Sequence, residues 1–178
     1  SSFGGSAALC LVMDHPDRVG DLVLMGPGGG TVPGATGPTE GIRQLQGYYL
    51  GEGPTLEKLT AFIGNLVYDS TLITPDLIRQ RFEASNDPEI RANPPIVPRA
   101  GGPGIETFIS RDPRLAQVRN RAMFIWGLQD KVNPAAAIDS FKTLPNADYV
   151  LLNRCGHWAQ WEHPARFNDL VLSFLRNP

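Results

Sequence analysis

Three runs are apolar without alternation: residues 21–26, 122–127 and 148–153. Each is six residues long, rich in β-formers and closed by Gly or Asn. A strand that is apolar on both faces must be covered on both faces, which is the condition of a strand inside a parallel sheet. Parallel neighbours need crossover connections, so helices are expected between the runs. Residues 7–13 form an apolar stretch preceded by Gly4, Gly5, Ser6, Ala7 and Ala8, small enough to let a helix lie close to a sheet. Residues 134–143 open with a Pro suited to a first helical turn. Residues 164–176 set Phe167, Leu170, Val171, Phe174 and Leu175 at helical spacing, an apolar stripe. The expected fold is α/β, a parallel sheet with helices on both faces.

Between Pro38 and Asp112 the pattern changes. Leu56, Leu59, Phe62, Ile63 and Leu66, then Leu77, Ile78 and Phe82, repeat at helical intervals, with no convincing strand. This reads as a helical cap inserted in the sheet domain, giving core residues 1–37, cap residues 38–112 and core residues 113–178. Gly and Pro concentrate at 25–53 and 93–104, as loops around such an insertion.

Composition excludes several function classes. The chain has 178 residues, 42% apolar and 19% charged, with net charge -2, so neither a basic surface nor a Lys/Arg run points to nucleic acid. No apolar run approaches the roughly 20 residues of a membrane span. Cys10 and Cys155 make neither a disulfide framework nor a zinc spacing, and a reducing cytoplasm is the default. No phosphate loop or metal-ligand cluster is present, so no cofactor and no metal are expected.

The chemistry is concentrated at the ends of the expected strands. The chain opens Ser1-Ser2-Phe3-Gly4-Gly5. A nucleophile elbow, small-x-Ser-x-Gly, needs small residues around a strained strand-to-helix turn that lifts the serine hydroxyl out of the sheet. Register selects Ser2, two residues before Gly4; for Ser1 that position is the bulky Phe3. Asp130 follows the second strand and His157 the third. Alone, Asp130 reads as a turn residue and His157 as a packing residue beside Trp158. Together the order Ser, Asp, His at three strand ends is that of the α/β-hydrolases. His157 would take the proton of Ser2 and Asp130 would hold the imidazole tautomer. The Phe3 backbone N–H would be one oxyanion donor. His15 and His163, each beside a Pro at a helix boundary, are poorer candidates.

With those residues in place the chain resembles the meta-cleavage product hydrolases, α/β-hydrolases that break a carbon–carbon bond in ring-fission products of aromatic compounds. The resemblance runs through Ser2-Phe3-Gly4-Gly5, His15-Pro16-Asp17-Arg18 with the following strand and Gly26-Pro27-Gly28-Gly29, and Pro38-Thr39-Glu40-Gly41. Its most specific parts are the cap segment Tyr68-Asp69, Leu72-Ile73-Thr74, Arg81-Phe82 and the segment from Cys155 to Glu162, which contains Gly156-His157-Trp158. It implies a vinylogous 1,5-diketone enol substrate bearing a carboxylate, cleaved to a 2-hydroxydienoate and a carboxylic acid. It also implies that Arg81 holds the carboxylate, that Trp158 lines the same subsite and that Ser1 helps shape it. A guanidinium suits a planar carboxylate by bidentate pairing.

Three departures stand out. Ser1 occupies a position where the family usually carries Asn. Residues 93–104 do not resemble the family's cap end. The strands before the elbow and the oxyanion loop are absent. The chain is therefore expected to be the C-terminal two-thirds or so of its protein, lacking roughly 100 upstream residues, with an exposed apolar edge and no activity alone. Two alternatives stay open at this point: a carboxylesterase or lactonase on the same scaffold, and an inactive fragment or hydrolase-like binding protein. Homo-oligomerisation of the full-length protein is open as well.

Overall fold

A computed structural model describes residues 1–94 and 109–176. Three parallel strands form one sheet in the order β1 (Leu22–Met25), β2 (Ala122–Gly127), β3 (Ala147–Leu152). Leu22 pairs with Ala122, which pairs with Ala147 on its other side. The three apolar runs thus become the sheet, β2 at the expected residues and β1 and β3 with their ends shifted by one residue. All six residues of β2 are buried, as a central strand requires, while β1 and β3 are edges.

The pleat sorts β2 into two cores. Ala122, Phe124 and Trp126 face one layer, with Leu9 and Val12 of α1 (Ser2–Asp14) and with Ile138 and Phe141 of a 3₁₀ segment, Ala135–Phe141. Phe124 lies between the rings of Phe141 and Tyr149, with centroids at 5.3 and 5.1 Å. Met123 and Ile125 face the other layer, which the last helix covers with Phe167, Leu170, Val171 and Phe174. That helix spans Pro164–Arg176, as its apolar stripe requires. Leu175, counted in the stripe from sequence, is 51% exposed: one residue past Phe174 turns the side chain about 100° off the buried face. Residues 134–143 adopt the tighter 3₁₀ pitch instead of an α-helix; their run of alanines carries no stripe that would distinguish the two pitches.

Between β1 and β2 lie α2 (Glu40–Gly47), α3 (Leu56–Leu66), α4 (Pro75–Ser85) and α5 (Pro88–Ala92), and no strand occurs there among the described residues. Their starts are written in the sequence. Thr39, Thr55 and Thr74 each accept, on Oγ1, a backbone N–H three residues on, and Pro75 follows Thr74 at the first helical position. Such a cap contributes about 1 kcal/mol. Tyr48, Leu59, Ile63 and Leu66 form a third core that takes in Val132 and part of Trp158 from the sheet side. The expected irregular end of the cap, at 93–104, lies almost wholly outside the described residues. Ile109, just after it, packs into the sheet core beside Leu115. Phe3 and Leu11 on α1 leave apolar surface exposed.

A four-residue helix, α6 (Ala159–Glu162), starts two residues after His157, and the last helix is α7 (Pro164–Arg176).

Candidate active site

The C-terminal ends of β1, β2 and β3 meet at one edge of the sheet, where chemistry collects in open α/β sheets. Gly127 ends β2. A Cβ there would collide with the backbone carbonyls of Cys155 and Gly156, so only glycine lets the loop after β3 cross directly over the loop after β2. The crossing is bonded: Leu128 N–H donates to Leu152 O (2.9 Å), Gln129 N–H to Cys155 O (2.9 Å), and Cys155 N–H to Gln129 Oε1 (3.0 Å).

This crossing brings Asp130 and His157 together. His157 Nδ1 lies 2.7 Å from Asp130 Oδ2, and both side chains are almost fully buried. Asp130 Oδ1 accepts the backbone N–H groups of Val132 (2.8 Å) and Asn133 (2.9 Å). The carboxylate is thus held on one oxygen by its own turn and offers the other to the imidazole. A carboxylate that only accepts fixes the proton on Nδ1 and leaves Nε2 as the basic ring atom.

Gly26, at the end of β1, roofs the pair. Its φ is +42°, and a Cβ built there would sit 3.0 Å from Asp130 Oδ2 and 3.2 Å from His157 Nδ1. Asn133 ties this turn to the acid's loop, its Nδ2 donating to Gly26 O at 2.8 Å. The turn carrying Ser2 is attached two residues further on, where Gly28 N–H donates to Ser2 O at 3.1 Å. Ser2 has φ +47°, a left-handed conformation that a non-glycine residue adopts only under constraint, and it begins α1. The close approach of helix to sheet occurs at Gly5, whose added Cβ would lie 2.8 Å from Pro27 Cβ. Gly4, the glycine of the elbow register, has open space around it. Among the described residues no hydrogen bond joins the Ser2 hydroxyl to the His157 ring.

The Phe3 N–H lies in the first turn of α1, among the N–H groups that no intrahelical carbonyl satisfies. Ser1 is exposed at the N-cap, its carbonyl accepting from Gly5 N–H at 3.1 Å. Arg81, exposed on α4, lies over the Trp158 ring with its Cζ 5.9 Å from the centroid. Arg79, two residues away, is instead occupied by Asp76 (3.0 Å) and Glu83 (3.3 Å). Arg81 makes no ion pair among the described residues, and Trp158, half-buried against the cap core, connects it to the histidine loop. His15 caps the end of α1, and His163 Nε2 contacts Arg154 O at 2.9 Å; neither joins the site.

A cleft of about 430 Å³ opens beside the Asp130 loop. Pro27, Val32, Pro38, Ile42, Val132 and Asn133 are among its walls, whereas Ser2 and His157 are not. Cys155, next to this loop, is fully buried, and burial first, then the negative Glu162 and Asp130, push its thiol up to about 12.

Sequence reasoning missed Gly26, Asn133 and Glu162 as parts of the site. Gly26 carried a faint signal in the Gly-Pro that ends its strand. The contacts by which the other two join separate parts of the site reach more than ninety positions along the chain (Asn133 to Gly26, Glu162 to Tyr68), and a local pattern does not mark them.

Comparison with known proteins agrees with this architecture. The alpha/beta hydrolase fold family model matches residues 1–164. A 2-hydroxy-6-oxononadienedioate/2-hydroxy-6-oxononatrienedioate hydrolase of Burkholderia vietnamiensis is 38% identical over 99% of this chain and 60% of its own length. The enzyme of that name from Dechloromonas aromatica is also 38% identical, over 98% and 60%. A meta-cleavage product hydrolase from Pseudomonas fluorescens superposes with a TM-score of 0.80 at 30% identity, covering 99% of this chain and 62% of that one. A 2-hydroxy-6-oxo-6-phenylhexa-2,4-dienoate hydrolase from Rhodococcus gives 0.78 at 27% identity, with the same coverage. The chain spans about 60% of the length of the curated relatives it matches. With its parallel sheet, helical insertion and matching family model, the chain belongs to the α/β-hydrolase fold family, and relatives similar to it include meta-cleavage product hydrolases.

Proposed function

We propose that this chain carries the catalytic triad and the carboxylate-binding subsite of a serine hydrolase that cleaves a carbon–carbon bond in 2-hydroxy-6-oxo-dienoates. The observation that carries the reading is the buried His157–Asp130 pair, 2.7 Å apart, at the sheet edge to which the strained Ser2 turn is bonded through Gly28. The names of the relatives supply the substrate class.

The steps follow from the groups present. The dienol substrate first takes a proton on carbon and becomes a ketone, so that the bond next to the carbonyl at position 6 can break. His157 Nε2 then removes the proton from the Ser2 hydroxyl as its oxygen adds to the carbonyl carbon at position 6, the π-electron pair moving onto the carbonyl oxygen. The developing oxyanion sits at the N-terminus of α1, where the Phe3 N–H and the positive end of the helix dipole stabilise it. The carbon–carbon bond breaks, its electron pair passes into the conjugated keto acid, and His157 returns the proton. The 2-hydroxydienoate leaves, and water, deprotonated by His157, then displaces the Ser2 oxygen from the acyl carbon, supplying the hydroxyl of the carboxylic acid and returning Ser2 its proton. Asp130 stabilises the imidazolium throughout. Arg81 pairs with the substrate carboxylate, and Trp158 supports its guanidinium from below. Ser1 borders the nucleophile and shapes the same space.

Turnover of a ring-fission product in oxygen-18 water by the protein that carries this chain tests the reaction class. One labelled oxygen in the carboxylic acid product and none in the dienoate is the expected result. Hydrolysis of aryl esters without cleavage of the dienoate would move the protein to an esterase.

A further inference from the structure

The loop carrying His157 and the cap touch through one side chain that the proposed reaction does not use. Glu162, the last residue of α6, places Oε1 2.6 Å from the Gly156 N–H and Oε2 2.6 Å from the Tyr68 N–H, with the Asp69 N–H at 3.4 Å. Gly156 directly precedes His157. Tyr68 and Asp69 directly follow α3, where the chain turns toward α4 and Arg81. The two backbones are packed hard together here: a Cβ on Gly156 would lie 2.8 to 2.9 Å from the backbone of Leu66, Val67 and Tyr68. A further bond, Trp158 N–H to Leu66 O at 3.0 Å, flanks the same junction.

We infer that Glu162 is a positioning residue that fixes the register of the cap against the histidine loop, and so the place of Arg81 relative to His157. Its two oxygens act on opposite sides of the junction. Charge-assisted bonds of this length are the strong kind, and a carboxylate can accept on both oxygens at once. A glutamine of the same shape cannot, because its amide nitrogen would face an N–H. Breaking either side leaves the junction to the Trp158–Leu66 bond and the packing at Gly156, which do not fix the place of Tyr68 and Asp69. The role rests on the functional reading above, because it concerns a substrate held at one end by Arg81 and attacked at the other beside His157.

The test is Glu162→Gln in the full-length protein that carries this chain, read two ways. In hydrogen exchange, the Gly156 or Tyr68 amide is expected to exchange about tenfold faster, the worth of one strong hydrogen bond, while amides of β2 are unchanged. In kinetics, kcat/KM for a carboxylate-bearing dienoate is expected to fall about tenfold or more. A small neutral aryl ester, which needs His157 but not Arg81, would fall by about threefold at most. Equal losses on both substrates would reduce Glu162 to a peg for the fold and overturn the inference, as would unchanged exchange at both amides. If the wild type does not cleave dienoates, the functional reading fails. The exchange measurement still decides for or against the carboxylate bridge. Should E162Q not fold, the same amides are read in Glu162→Asp, whose shorter carboxylate cannot span both loops and is expected to release one of them.

Discussion

The sheet edge and the cap hold their functional groups in opposite ways. Asp130 is buried and fully bonded, with two backbone N–H groups on one oxygen and His157 on the other. The glycines around it leave no room for adjustment. Arg81 stands exposed on a helix with no buried residue, steadied by the face of Trp158. Groups that move protons are held rigidly, because a base displaced by about 1 Å can lose roughly 100-fold in rate. The group that recognises a substrate's charge can remain adaptable, because an ion pair tolerates more misplacement than a proton transfer.

That contrast can be broken at several points. The largest effect is expected from Asp130→Asn, which keeps the shape but no longer fixes the imidazole tautomer. It should lower kcat by about 10,000-fold with the melting temperature little changed. Next is Gly127→Ala, which drives a methyl into the carbonyls of Cys155 and Gly156 and should cost about 3 kcal/mol in denaturant unfolding. Arg81→Ala should raise KM for a dienoate by roughly 10- to 100-fold, the worth of hydrogen bonds to a charged group, while leaving a neutral ester and the stability nearly unchanged. If Arg81→Ala instead lowered both activities together, the cap would belong to the rigid part of the machine.

The smallest effect concerns Cys155. Burial holds its thiol protonated up to about 12 against an ordinary value of 9.0. The folded state therefore keeps a proton that the unfolded chain releases. The sign follows: stability is untouched below about 9 and falls as pH rises from there toward 12. Unfolding measured at pH 8 and pH 10.5, with Cys155→Ala as reference, checks it. At pH 8 a thiol reagent should modify the exposed Cys10 and spare Cys155 in the native protein.

Much of this was legible in the sequence for identifiable reasons. Strand β2 could be read because six consecutive buried residues leave a continuous apolar run, and α7 because four of its five apolar positions face one layer. The meeting of Asp130 and His157 was legible because each follows its own strand at the same edge of the sheet. Leu175 was misread because periodicity marks a face but not its rim. The 3₁₀ pitch of Ala135–Phe141 was hidden by a run of alanines that fits either helix. Of the small residues expected to let α1 lie close to the sheet, Gly5 makes the tight contact with Pro27 and Gly4 does not, because contact depends on which side of the helix meets Pro27. The bridging roles of Glu162 and Asn133 were invisible because Tyr68 and Gly26, the partners that make them bridges, are brought to them only by the fold.

The most direct test of the proposed carbon–carbon hydrolysis is optical. The full-length protein is mixed with the yellow ring-fission product of a dihydroxybiphenyl, beside a Ser2→Ala variant, and visible absorbance is followed. Rapid bleaching by the wild type, abolished or slowed by orders of magnitude in the variant, is the expected result. Bleaching at the same rate in both would contradict a nucleophile at Ser2. No bleaching, with aryl ester turnover intact, would contradict carbon–carbon hydrolysis and leave Arg81 a surface residue resting on Trp158.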